Sequence, residues 1–154
     1  MAKSEVFRVN NRVFISHAYP VGYAIDLLAT LARALAAPLT AMFGFEVKGT
    51  LEGVAQAMPA LKDADAGRLL ELLPAFESAG GSRLIVKVLA YTRFEDQPID
   101  STDRLNAVFG EPGEGLLDAL TLCWEVLVWN LAPLVRAIQK RTQQKAAETA
   151  PPKE

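Results

Sequence analysis

Two long apolar runs, residues 21–45 and 116–135, limit what this chain can fold into more than any other feature. Each exceeds the roughly 18 residues that suffice for a membrane-spanning helix. Yet each carries two charges near its middle, Asp26 with Arg33 in the first and Asp118 with Glu125 in the second. On insertion a central charge costs about 2.5–3.5 kcal/mol, whereas each Leu, Ile, Phe or Val returns only about 0.3–0.6. The paired charges stand seven residues apart in both runs, so each pair shares one helix face. The runs therefore predict amphipathic helices with a polar side turned to water, and no stable membrane insertion. A small membrane-associated protein is the competing reading that the apolar counts alone would support.

The chain of 154 residues is the size of a single domain. Apolar types make up 51% and charged types 22%, a globular composition. Sixteen basic against 18 acidic residues give a net charge of -2, which argues against a nucleic-acid partner. One cysteine and one histidine exclude a disulfide framework and disfavour a zinc site built from protein ligands alone. No metal and no cofactor are expected. The opening Met-Ala-Lys-Ser-Glu-Val lacks the apolar core of a signal peptide.

Along the chain, residues 5–9 and 12–16 are short β-branched and aromatic runs joined by Asn10-Asn11, a pair that tolerates the positive φ of a tight hairpin. Pro20 opens a helix in which Ile25, Leu27, Leu28, Leu31 and Leu35 share one arc, opposite Asp26, Thr30 and Arg33. Pro38 is expected to end it. Thr50 caps a segment running to about Met58, and Asp63 or Asp65 caps the next, through Leu73. Pro74 and Gly80-Gly81 break the chain, with Ser82 a candidate cap beyond them. Residues 83–91 suit a helix or a buried strand, and residues 92–99 a turn or small ribbon. Ser101 or Thr102 opens a helix to about Phe109, and a turn rich in Gly follows at residues 110–115. The longest helix spans Leu116 to Arg141, bent at Pro133. The expected architecture is mainly α (α+β): one domain over residues 1–141, an N-terminal β-hairpin, a bundle of about five to six helices with a long C-terminal one, and a disordered tail over 142–154.

Few residues offer chemistry. His17 has no serine or cysteine partner that spacing can supply, and a hydrogen-bonded place at a strand end accounts for it. Cys123 between Leu122 and Trp124 reads as a small buried hydrophobe. The turn at 110–115 lacks both the Lys-Ser/Thr ending of a P-loop and the dinucleotide-binding spacing. Glu95-Asp96 and Asp63/Asp65 read as caps and solvated charges. No enzyme is expected.

The long helix says more. Its polar stripe of Asp118, Thr121, Glu125 and Arg136 spans only about 60° at 100° per residue, where an ordinary surface helix needs an apolar arc a little over 100° wide. Either this helix is central and surrounded, or its surplus face meets another chain. On the second alternative Leu122, Val126 and Trp129 form a partner-binding surface, joined by Leu27, Leu31 and Leu35 of the first helix. Asn130 lies within the apolar arc and needs a hydrogen-bonding partner if buried.

Phe7-Arg-Val-Asn-Asn-Arg-Val-Phe-Ile15 followed by Val21-Gly-Tyr-Ala-Ile-Asp-Leu-Leu-Ala-Thr-Leu31 resembles the opening of the small tail assembly chaperones of tailed bacteriophages, a ribbon leading into a leucine-rich helix. Leu105-Asn-Ala-Val-Phe109, Gly110, Leu116-Leu-Asp-Ala-Leu120 and Trp124-Glu-Val-Leu-Val-Trp-Asn130 are similar to the family's closing helices. The chain departs from the pattern at Asn10-Asn11, where the family has Asn-Gly, and around Pro74 and Gly80-Gly81. The resemblance implies a protein that holds the phage tape measure protein soluble in the host cytoplasm while the tail tube assembles. It also implies absence from the mature virion, and self-association is compatible with such a role. Other bacterial helical adaptors or secretion-type chaperones share this physics and differ in client.

Overall fold

A computed structural model describes residues 3–44, 46–50, 53, 57, 71, 73–78, 80–111 and 113–149. In chain order the elements are β1 (Ser4–Val9), β2 (Arg12–His17), α1 (Val21–Phe43), α2 (Leu73–Ser78), α3 (Ser82–Leu89), β3 (Thr92–Phe94), β4 (Gln97–Pro98), α4 (Thr102–Phe109) and α5 (Glu114–Thr149). The mainly helical character, the N-terminal hairpin and the long C-terminal helix all follow the sequence. The helix count differs. Among the described residues four helices have eight residues or more, and the six-residue α2 is a fifth short piece. The expected helix over 63–73 lies almost wholly outside the described residues. Of the one expected over 50–58, the cap is seen: Gly53 donates its N–H to Thr50 Oγ1 at 3.1 Å.

Two tight hairpins build one antiparallel sheet of order β1-β2-β3-β4. In the first, Val9 faces Arg12, and the two turn residues Asn10 and Asn11 sit at φ 50° and 64°. That left-handed pair matches the right-handed twist of the strands, so asparagine serves where glycine would be easier. In the second, Phe94 faces Gln97 and the turn is Glu95-Asp96, at φ 52° and 63°. Residues 92–99, expected as a turn or small ribbon, thus form a second hairpin that extends the first through Ile15↔Arg93 and Ser16↔Thr92. The ribbon follows the sequence; its docking beside β2 is what the fold adds, and it holds although Glu-Asp is a poor turn pair for this geometry.

Residues 83–91 resolve as helix. Leu84, Ile85, Val88 and Leu89 are all buried, the i, i+1, i+4, i+5 spacing of one helical face. Gly81, not Ser82, occupies the N-cap position. At the other end of α3, the hydroxyls of Tyr19 and Tyr23 donate to the carbonyls of Val88 and Lys87, satisfying acceptors that a helix end leaves open. The three rings of Tyr19, Tyr23 and Tyr91 pack together there, with centroids 4.9–6.0 Å apart. Burial pushes the Tyr19 hydroxyl pKa well up, so it remains a donor throughout the physiological range.

α1 does not stop at Pro38 as expected; it passes through that residue and ends at Gly44, at φ 71°, whose N–H donates to Thr40 O. Running on for another turn buries Leu39 completely and lets Thr40 Oγ1 accept the N–H of Val47 at 2.9 Å. Those gains offset the missing proline donor. α5 likewise passes through Pro133 and continues to Thr149, so the expected tail is helical through that residue, with residues 142–148 exposed. Two helices, Val21–Ala41 and Glu114–Glu148, are long and apolar enough to cross a membrane by length and composition. Here leucines of both helices, among them Leu27, Leu31, Leu35, Leu120, Leu122 and Leu127, line the protein's own core.

The hairpin is fastened to the helices through Arg12. Its guanidinium lies 5.3–5.8 Å from the ring centroids of Phe14, Phe94 and Phe109, donates to the carbonyl of Val108, and pairs with Asp118 at 3.3 Å. Asn10 Nδ2 reaches the same carboxylate at 3.2 Å. β2, the end of α4 and the start of α5 thus meet at one side chain. Phe14, fully buried beneath it, stacks against Phe109 at 5.8 Å and Phe94 at 5.2 Å.

Asp96 holds a left-handed conformation that costs an ordinary L-residue about 1–2 kcal/mol, part of which glycine returns as entropy of the unfolded chain. Asp96→Gly is therefore expected to raise stability by about 0.5–1 kcal/mol. The check is a urea midpoint that rises with no change in the slope of the transition.

Candidate functional site

α5 is the central helix. Ala119, Leu120, Leu122, Cys123, Trp124, Val126, Leu127 and Leu131 are all buried, an arc of about 200° at 100° per residue. β1, α3 and α4 pack around it. The over-wide apolar face is therefore covered within the protomer, and of the two alternatives read from the sequence the enclosed helix is the one observed. Leu122 and Val126 are 0% exposed, and Leu27, Leu31 and Leu35 also lie in the core. In this fold these five are interior packing, and of them Leu27 also reaches the floor of a cleft it shares with Tyr23, Asp26, Thr30 and Lys87. Ile25, expected on the same apolar arc, is instead 57% exposed.

Trp129 is the candidate that reaches the surface. Half-buried, it meets Phe7 edge to face at 6.1 Å and borders a small cleft of about 210 Å³ with Lys3, Asn130 and Arg136. Asn130 has both of its partners: Oδ1 accepts the Tyr19 N–H and Nδ2 donates to Val126 O, each at 2.9 Å. This pair ties the chain entering α1 to the middle of α5.

The groups with chemical potential are placed as structure. His17 ends β2, and its backbone N–H donates to Tyr91 O at 2.9 Å. Cys123 is buried, and burial pushes its thiol pKa up, away from the reactive thiolate. Among the described residues no group of three or more His, Cys, Asp or Glu is placed to hold a metal ion. Glycine in the first turn of α5 lets that helix approach the end of α4: a Cβ at Gly115 would lie 2.1 Å from Phe109 O.

What the fold leaves open is a cleft of about 450 Å³ where α2, α3, α4 and the start of α5 converge. Ile85, Leu105, Phe109, Leu116 and Ala119 make its apolar floor. Ser82 and Asn106 stand at the lip and Glu77 and Glu111 on the rim, with no basic side chain among the described lining residues. The sequence contained these residues without a pattern uniting them, because they come from four elements that only the tertiary fold brings together.

A family model of the phage tail assembly chaperone protein, TAC, matches residues 10–140. The chain belongs to that family. No curated protein and no solved structure matches it.

On the polar stripe of α5, Glu125 is half-buried, and loss of water raises its carboxyl pKa. Its folded pKa then exceeds the unfolded value of about 4.3, so the folded state binds the proton more tightly and stability falls as pH rises through that window. Glu125→Gln is expected to raise the urea midpoint at pH 7, with the advantage over the parent shrinking as pH is lowered toward 4.

Proposed function

We infer that this tail assembly chaperone binds the phage tape measure protein and keeps it soluble in the host cytoplasm until the tail tube assembles, and that it is not retained in the finished virion. The observation that carries this reading is the cleft over Ile85, Leu105, Phe109 and Leu116, found in a chain of this family. An apolar trough between helices takes the large side chains of an amphipathic client helix, spaced at i, i+3 and i+4. The carboxylates at the rim favour clients whose apolar stripe is flanked by Lys or Arg. No covalent step is involved. Holding a long client through several copies of a modest site gives avidity while each contact stays releasable, which suits a chaperone that must leave.

Co-expression is expected to raise the soluble yield of a phage tape measure protein. Asn106→Trp, which places an indole over the cleft from an exposed position on α4, should remove that gain while the helical circular dichroism is unchanged. A tape measure protein that is equally soluble with and without the chaperone would contradict the reading.

A further inference from the structure

The outer face of the sheet carries an apolar strip with an arginine on either side. Val6 and Ile15 face each other across β1 and β2, with Val13 two residues from Ile15 on β2. They are 52%, 40% and 45% exposed, so this β-branched face lies open. Arg8 stands beside Val13 on the β1 side, and Arg93 beside Ile15 on the β3 side, both exposed. Alternation along the strands puts all five side chains on this face. Among the described strand residues no carboxylate shares it: Glu5 belongs to the other row, and its Oε1 accepts the Val6 N–H at the sheet edge, at 3.3 Å.

We propose that this face binds an amphipathic helix whose apolar stripe is flanked on both sides by Asp or Glu. Hydrogen bonding is available at a sheet's edge and not on its face, so what covers a face is the side-chain surface of a helix or of another sheet. With strands about 4.8 Å apart and residues about 3.4 Å apart along them, Arg8 and Arg93 straddle the strip at about 12 Å. A helix about 10 Å wide fits that span. Laid along β2, it places its stripe on Val13 and Ile15 and a flanking position over each arginine. A second copy packed face to face would gather four arginines with no acid between them, so charge disfavours self-packing here. The surface lies apart from the cleft, takes the opposite charge, and does not rest on the chaperone reading.

The test uses the full chain and two synthetic helical peptides, one with a leucine stripe flanked by glutamates and its twin flanked by lysines. Binding is followed by fluorescence anisotropy at low and high salt. The glutamate peptide is expected to bind in a salt-sensitive way and at least about tenfold more tightly than its twin. Arg8→Glu combined with Arg93→Glu should invert that preference. Val13→Thr with Ile15→Thr, which keeps the β-branched shape, should weaken binding of the glutamate peptide. Asn106→Trp, at the cleft, should leave it unchanged. Equal binding of the two peptides, a preference that survives charge reversal, or loss of binding on blocking the cleft would overturn the proposal. So would association with phosphatidylglycerol vesicles by a protein that ignores the glutamate peptide, because that outcome assigns the face to a lipid surface.

Discussion

A helix that is apolar around more than half of its circumference must be wrapped on several sides, and α5 imposes that requirement on everything else in the chain. Between Ala119 and Leu131 it presents eight buried side chains, including Leu122, Cys123 and Val126 at 0% exposure. Enclosing such a rod takes a sheet on one side and helices on others. The N-terminal hairpin covers part of it through Phe7 and Trp129, while α3 and α4 take further sectors. The polar stripe is used where the covering elements meet it: Asp118 receives both Arg12 and Asn10 of the hairpin. Arg12 carries this fastening because a guanidinium can lie against aromatic rings and still direct its N–H groups to a carbonyl and a carboxylate.

Period and punctuation made the first hairpin, α4 and α5 legible in the sequence. Asn10-Asn11, Ser101 and Gly110 each have a local physical preference that the fold honours. Ser101 accepts the Arg104 N–H at 3.1 Å, as an N-cap should, and Gly110 closes the same helix at φ 70°. What escaped depends on tertiary context. Pro38 breaks helices in isolation but is tolerated where the next turn buries Leu39. The ribbon at residues 92–99 was legible, but its pairing with β2, which holds the unfavourable Glu95-Asp96 turn in place, was not. The same distinction governs the site. The sequence showed that α5 owned too much apolar surface for a helix on the outside, but its wrapping is a three-dimensional fact. Leu122 and Val126 therefore moved inward, and the open apolar surface appeared where four elements join.

Among the described residues, two open surfaces of opposite character stand out beside the core. The cleft is concave, apolar and rimmed by Glu77 and Glu111; the sheet face is open, studded with Val6, Val13 and Ile15, and edged by Arg8 and Arg93. Both suit helices, but helices with different flanking charge. A holding protein gains selectivity this way without deep pockets: the apolar contact supplies general affinity, and the rim charges reject the wrong partner. One face of the hairpin anchors to α5 and the other is left open.

Hydrogen exchange on the free protein and on its complex with the tape measure protein tests the central claim most directly. The account predicts that amides of residues 122–131 are already strongly protected in the free protein and change little on binding, whereas residues 82–89 and 102–119, around the cleft, gain protection. Rapid exchange at 122–131 in the free protein, slowed only by the client, would contradict it, because that helix would then be lent to the partner and not enclosed by its own chain.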